Sequence, residues 1–371
     1  MISRLAGDST WSRYSLVWSG IQALLIIALE SVIFRLHLTE SHNIQLIIGP
    51  ATIALQQRPT FDKPDPQEIV QAARVLSVYH VLFIVAQVFQ LILLCDAMFN
   101  KNTIQIIAIV IFNCAMVAYA GVQVKQASEI LVRTPNDSLT NMILDFFALE
   151  ATPKPYHASL PYEIAVLALM IVLASGFAFI AYKLYKEFGW SIYKKIGADL
   201  AMRDMYKVYQ IFIMIVKFDI FFQLGFSAQF LSLTVESQTY SPEDLKNVLI
   251  LHLILSTGAS IILPFMAWYG LKRESKIAMG CFIAGGFATL VYNVIKLNQV
   301  FSDAPRFAGA NKFLSFFLIV NLLLGIATMY FAWVCMKNFN NGLNAHIGKV
   351  SGTNIYPMES VSGPSKRWSI E

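Results

Sequence analysis

The sequence predicts an all-α polytopic transmembrane helical bundle of about eight spans with cytosolic termini, and three observations carry that prediction. Of the 371 residues, 56% are hydrophobic and only 14% charged, a balance well to the apolar side of a soluble globular domain. Eight segments reach the roughly 20 apolar residues that a helix needs to cross a bilayer core of about 30 Å. The Lys and Arg residues divide unequally between the loops on the two sides, 16 on the side of the N-terminus and 8 opposite. Because basic loops remain cytosolic, both termini are expected in the cytosol.

The first span covers residues 15–36. It is longer than a signal-peptide core and no small-residue cleavage pattern follows it, so it is expected to stay. Residues 43–55, NIQLIIGPATIAL, are apolar but too short to span and are interrupted by Gly49-Pro50, which predicts an interfacial segment. Asp65-Pro66-Gln67-Glu68 then supplies a carboxylate cap, a proline at the first helical position and an early acid, so a helix starts there. Its apolar part, 75–98, is the second span. After the turn Asn100-Lys101-Asn102, span three covers 103–124 and forms an antiparallel hairpin with span two.

A long polar loop follows, carrying Asn136-Asp137-Ser138, the sole glycosylation sequon, on the side expected to be lumenal. Span four covers 162–184 and span five 206–233. Ser241-Pro242-Glu243-Asp244 repeats the helix-start signal and opens span six, 248–271, with Pro264 as its expected kink. The basic turn Lys272 to Lys276 leads into span seven, 277–297, and span eight covers 313–336. The bundle thus occupies residues 1–336; residues 337–371, rich in Asn, Gly, Ser and Pro, are expected to form a disordered cytosolic tail. Spans one to four and five to eight show no convincing sequence repeat, although an inverted-repeat transporter stays open.

Charged residues inside the spans are the candidates for function, since each costs about 2.5–3.5 kcal/mol on insertion scales. Glu30, Arg35, Asp96 and Lys296 lie near span ends, where snorkelling accounts for them. Lys217 and Asp219 lie eleven and thirteen residues into span five, close to the expected bilayer middle. Two residues apart on a helix is about 200°, so their side chains point to nearly opposite faces and each needs a partner from another span. Asp219 shares its face with Gln223, and Asn113 and Asn321 are candidates for contact at similar depth, with His252 and Asn293 nearer the lumen. Three readings of this polar site stand: interhelical hydrogen bonds that fix packing, a substrate or proton site, and an oligomer contact.

Along the same helix, Phe218, Phe222, Phe226 and Phe230 recur every fourth residue and are expected to pack in the core or against lipid. In span seven, Gly280, Ala284 and Ala288, with Gly285 and Gly286 beside them, form a small-residue ridge expected to pack inside the bundle; a homo-oligomer contact is the other reading. Between spans four and five, Trp190 and Tyr193 interleave with Lys194 and Lys195, a pattern suited to a short interfacial helix against anionic cytosolic lipid. Membrane lipids are therefore the expected partners. The basic residues are dispersed and form no long patch, so nucleic acid is set aside.

The six histidines are scattered and the four cysteines all fall in apolar segments, so neither a metal site nor a disulfide framework is expected. No Gly-rich phosphate loop, His-Glu-x-x-His or nucleophile elbow is present. The expectation is a non-enzymatic protein without a cofactor.

The stretch through Phe188-Gly189-Trp190, Tyr193-Lys194-Lys195-Ile196-Gly197-Ala198-Asp199, Met205-Tyr206 and Lys217-Phe218-Asp219 resembles an uncharacterised fungal family of multi-pass Golgi apparatus membrane proteins. The likeness covers about 45 residues strongly. It implies Golgi residence and a fungal source, and it brings no established activity or catalytic residue. The expected role is therefore an unresolved one in the secretory pathway. A secondary transporter using Lys217, Asp219 and Gln223 is one alternative, and a trafficking or scaffold protein acting through the basic loop and tail is the other.

Overall fold

A computed structural model describes residues 9–55, 66–132, 155–196, 200–236, 242–302 and 311–342, all of them helical or in short turns. The helices are α1 (Thr10–Leu55), α2 (Pro66–Asn100), α3 (Thr103–Val132), α4 (Pro155–Ile196), α5 (Leu200–Glu236), α6 (Pro242–His252), α7 (Ala259–Lys272), α8 (Lys276–Ser302) and α9 (Asn311–Lys337). A π turn, Leu253–Gly258, joins α6 to α7, so that these three pieces make one membrane-length stretch. Eight stretches are long and apolar enough to cross a membrane, in the expected order. The Asn136 sequon and residues 343–371 lie outside the described residues, as do the side chains of Trp190, Tyr193, Lys194 and Lys195.

The local signals act where expected. Both α2 and α6 begin at a proline, Pro66 and Pro242, where a missing N–H costs nothing. In the α2–α3 turn, Lys101 takes a positive φ of 50° and the Asn102 carboxamide oxygen accepts from the amides of Ile104 and Gln105 at 3.1 Å each. That is an asparagine cap, which satisfies two of the orphan donors at the start of α3. Two helices run further than the sequence patterns indicate. The backbone of α1 stays helical from span one through the Gly49-Pro50 segment to Leu55, and α4 continues through the basic stretch to Ile196. The short helix expected there is thus an extension of span four.

The eight spans divide into two four-span halves with the same cyclic neighbour order. In the first, α1 packs on α2 and α4, and α3 on α2 and α4. In the second, α5 packs on α9 and on span six, while α8 packs on α9 and α7. Four spans per half means that both halves enter from the same side, so any symmetry between them would lie about an axis along the membrane normal rather than in its plane. The halves meet through α2 and α3 against α5.

Lipid chains are as apolar as leucine, so helix association here rests on close packing and interhelical hydrogen bonds. Ile26, Phe83, Phe112 and Phe177 build the core of the first half; Phe212, Met279, Phe282 and Ala332 build one core of the second. A third cluster joins the halves, with Tyr79 of α2 stacked on Phe313 of α9 at 4.3 Å between ring centroids. The phenylalanine series of α5 serves this interior: Phe218 meets Phe89 and Phe112, Phe222 meets Phe317, and Phe226 and Phe230 are fully buried. Leu24, Ile111, Ile254 and Ile277 point outward, as lipid-facing residues should.

The small-residue ridge of α8 differs from expectation. Ala284 and Ala288 are exposed, and nothing lies within 4 Å of the position a Cβ on Gly280 would take. It is the adjacent Gly285 and Gly286 that face the bundle, against Leu263 and Met329. The reason is rotational: one position is about 100° of helix, which turns one face to lipid and its neighbour to protein.

Candidate functional site

The site is built on α5, whose 37 residues extend over about 55 Å, well beyond one bilayer core. Asp219, Gln223 and Ser227 recur every fourth residue and therefore line up on one face. That face meets the second half of the bundle, and each residue finds a partner there. Thr328 of α9 donates its hydroxyl to an Asp219 carboxylate oxygen. Gln223 donates to Ser256 Oγ at 2.9 Å and accepts from Asn293 Nδ2 of α8 at 3.1 Å. Ser227 Oγ lies 3.0 Å from His252 Nε2, and the other nitrogen of that ring lies 2.6 Å from the Tyr292 hydroxyl.

Beside this polar track lies a cavity of about 70 Å³, lined by α5, α7, α8 and α9. That is several times the roughly 10–15 Å³ that one water requires. Asp219, Gln223, Ser260, Thr289, Asn293 and Asn321 all contribute to its wall. Asp219 is a carboxylate on the wall of a mostly apolar space, where neutral oxygen-bearing side chains alternate with Val216, Ile220, Leu263, Phe282 and Met329. Span six changes its helical pitch at the π turn immediately before Ala259, which lines the cavity together with Ser260 and Pro264. Irregular helix of this kind is tolerated at membrane depth where it borders a cavity, and π turns recur at functional sites.

Depth can be read from the elements. Thr328 lies nine residues before the end of α9, about 14 Å along the helix and near the middle of a 30 Å core. Its partner Asp219 lies at the same level. Lys217 does not: its ammonium bonds Asp96, and it donates to Gln105 Oε1 at 3.1 Å. Asp96 and Gln105 stand four and two residues from the ends of helices that meet in the α2–α3 turn. The four-carbon stem of Lys217 carries its charge back toward that turn, where the side chain is 25% exposed and that of Asp96 is 35% exposed. Lys217 thus belongs to a clasp between the halves, and the opposite-face geometry separates it from Asp219 as the 200° argument requires.

Of the other expected contacts, Asn321 lines the cavity and donates to the Phe222 carbonyl at 3.2 Å. Asn113 is elsewhere. It accepts from Gln22 Nε2 at 2.8 Å inside the first half, where Gln87 also accepts from Gln22 at 3.2 Å. Asn113 points away from α5 and cannot serve either charged residue. Glu30 is also corrected. It is 1% exposed and does not snorkel, since His80 Nδ1 lies 2.7 Å from its Oε2. Lys296 keeps an interfacial character, its ammonium lying over the Phe230 ring and donating to Gln299 at 3.1 Å.

Several members of the track escaped sequence reasoning. Thr328, Ser256, Ser260 and Thr289 are small hydroxyl residues of a kind common in any span, and only the shared face of Asp219 and Gln223 on α5 marked the side they meet. Among the described residues, no group of three or more His, Cys, Asp or Glu is arranged to hold a metal ion.

No described family profile matches the chain, and no solved structure matches the fold. Over 284 residues the chain is 28% identical to a UPF0658 Golgi apparatus membrane protein of the fission yeast Schizosaccharomyces pombe, covering 71% of this chain and 76% of that one. This likeness extends far beyond the 45-residue stretch around Lys217 and supports the uncharacterised fungal family that the stretch resembles. With eight membrane-length helices in the same chain, the conclusion is a multi-pass Golgi membrane protein related to that uncharacterised fungal family.

Proposed function

We propose that the chain is a secondary transporter of small cationic solutes, acting without enzymatic chemistry and using Asp219 as the solute-binding carboxylate. The observation that carries this reading is the placement of Asp219 on the wall of a cavity at mid-membrane depth, beside the polar side chains of Gln223, Asn293 and Asn321. A carboxylate held there is costly unless it serves a ligand or a proton, and among the described residues its hydrogen bond from Thr328 leaves acceptor capacity for a cation. Neutral oxygen donors around one anionic group suit a small cation better than an anion, which that charge would repel. The π turn of span six beside the same cavity is a local change of pitch of the kind that recurs at functional sites.

The test is uptake by sealed vesicles containing the purified full-length chain, using a panel of labelled inorganic cations, amines and basic amino acids. The account expects uptake of at least one of them and its loss in Asp219→Asn. Uptake that survives neutralisation of Asp219, or none across the panel, would count against it.

A further inference from the structure

A second buried polar group lies in the other half of the bundle and has no part in the cavity. Glu30 and His37 of α1, His80 of α2 and Glu163 of α4 come together there, each no more than 3% exposed. His80 Nδ1 stands 2.7 Å from Glu30 Oε2, and His37 Nε2 stands 3.1 Å from Glu163 Oε1. The two imidazoles stack, 4.9 Å between centroids and 11° from parallel. Gln123 of α3 closes the group, its Nε2 lying 3.4 Å from His80 Nδ1. Sequence reading separated these residues because their partners are 50 and 126 positions apart. One signal was available: Glu30 and His37 are seven residues apart, which places both on one face of α1.

Two atoms of the group have no hydrogen-bond partner among the described residues, His80 Nε2 and Glu163 Oε2. Both are buried, and a buried polar atom without a partner calls for an explanation. Among the described residues the neighbouring titratable groups are few. Tyr79 belongs to α2 and Tyr119 to α3, the Tyr119 hydroxyl donating to the Tyr79 carbonyl at 3.3 Å. Arg35 of α1 and Lys125 of α3 are exposed at the same end of the bundle, as is Tyr162 of α4.

We propose that this quartet is a proton-binding site. With one proton held in each His–carboxylate hydrogen bond, both pairs are neutral and can be buried at little cost. Release of one proton leaves a single negative charge among the four groups, and uptake restores neutrality, so the quartet exchanges one proton as a unit. Histidine is the side chain suited to such exchange near neutral pH, and the stack couples the two pairs so that they titrate jointly. The His80–Glu30 bond joins α2 to α1 and the His37–Glu163 bond joins α4 to α1. Proton occupancy therefore sets how three helices of the first half grip one another at this end.

The experiment is a titration of the full-length chain, labelled with 15N-histidine and held in lipid nanodiscs, between about pH 5 and 8. The ring-nitrogen signals report tautomer and charge directly, and His37→Gln and His80→Gln assign them. The expected result is that His37 and His80 change together, and that Glu30→Gln displaces the transition of His37, which is paired with Glu163, by about one pH unit or more. Signals of both residues that stay constant across the range would overturn the proposal, as would a His37 transition unmoved by Glu30→Gln. If one assigning variant fails to fold, the other still assigns its own residue, and constancy of that signal across the range is enough to overturn the proposal. The test is also independent of whether the cavity beside Asp219 carries a solute.

Discussion

Lys217 and Asp219, two residues apart on α5, are held by opposite halves of the bundle: the ammonium by Asp96 of α2 and the carboxylate by Thr328 of α9. One helix thus carries both a connection between the halves and the charged wall of the cavity. A shift of α5 against α2 and α3 would alter the cavity, because the two contacts share about one half-turn of helix. This places α5 as the element through which rearrangement of the halves would reach a bound solute.

Asp219→Asn should fold. The amide keeps an acceptor for Thr328, so global stability in detergent should stay within about 1 kcal/mol of wild type. Asp219→Leu removes that acceptor and strands the Thr328 hydroxyl, which should cost about 1–3 kcal/mol. Denaturant unfolding of the two variants against wild type checks both figures. Equal, large losses would mean that Asp219 serves packing alone.

Breaking the clasp should be mild. Because the Lys217 and Asp96 side chains are 25% and 35% exposed, solvent screens their attraction, and the pair should contribute roughly 0.2–1 kcal/mol. A double-mutant cycle with Lys217→Met and Asp96→Asn should give a favourable coupling in that range. A coupling several times larger would mean that the pair is buried in the membrane.

Gly176 of α4 is matched to Trp18 of α1. A Cβ there would lie 2.2 Å from the indole ring, whose Nε1 donates to the Leu173 carbonyl at 2.9 Å. Gly176→Ala should therefore displace the ring and cost about 1–3 kcal/mol by overpacking. Trp18→Phe in the same chain, which vacates the space, should recover part of that loss. Thermal melts of the single and double variants in detergent decide it; an unperturbed single variant would show that α1 and α4 can part freely.

The Gln22 network should be structural. Gln22→Leu leaves the Asn113 and Gln87 oxygens without their shared donor, and loss of interhelical bonds of this kind costs about 0.6–2 kcal/mol. Ile21→Leu, at an exposed neighbour, should be neutral in the same unfolding assay. Vesicle uptake per folded molecule should be unchanged in Gln22→Leu, because no residue of that network touches the cavity.

What the sequence revealed and what it hid follow from the range of each signal. Span number and order depend on local hydropathy, and the starts at Pro66 and Pro242 depend on the next few residues, so all were legible. The divergence of Lys217 and Asp219 was legible too, because it is a rotation within one helix. Depth was less so, since it depends on how far α5 extends beyond the α2–α3 turn, which no window of α5 contains. Glu30 shows the limit most clearly. Near a span end it looks like a snorkelling residue, and only the packing of α2 beside α1 brings it His80. Asn113 fails for the same reason, its depth being suitable but its face turned to Gln22.

The central claim is that Asp219 faces an aqueous, cation-attracting cavity. Its most direct test is the rate at which a positively charged thiol reagent modifies Ser260→Cys in a chain lacking Cys95, Cys114, Cys281 and Cys335. Ser19→Cys, buried in the first half away from the cavity, is the reference. The account predicts modification of Ser260→Cys at least about tenfold faster than the reference, corresponding to about 1.4 kcal/mol, and slowed when Asp219→Asn removes the attracting charge. Equal rates at the two positions would contradict it, and Asp219 would then be a packing residue.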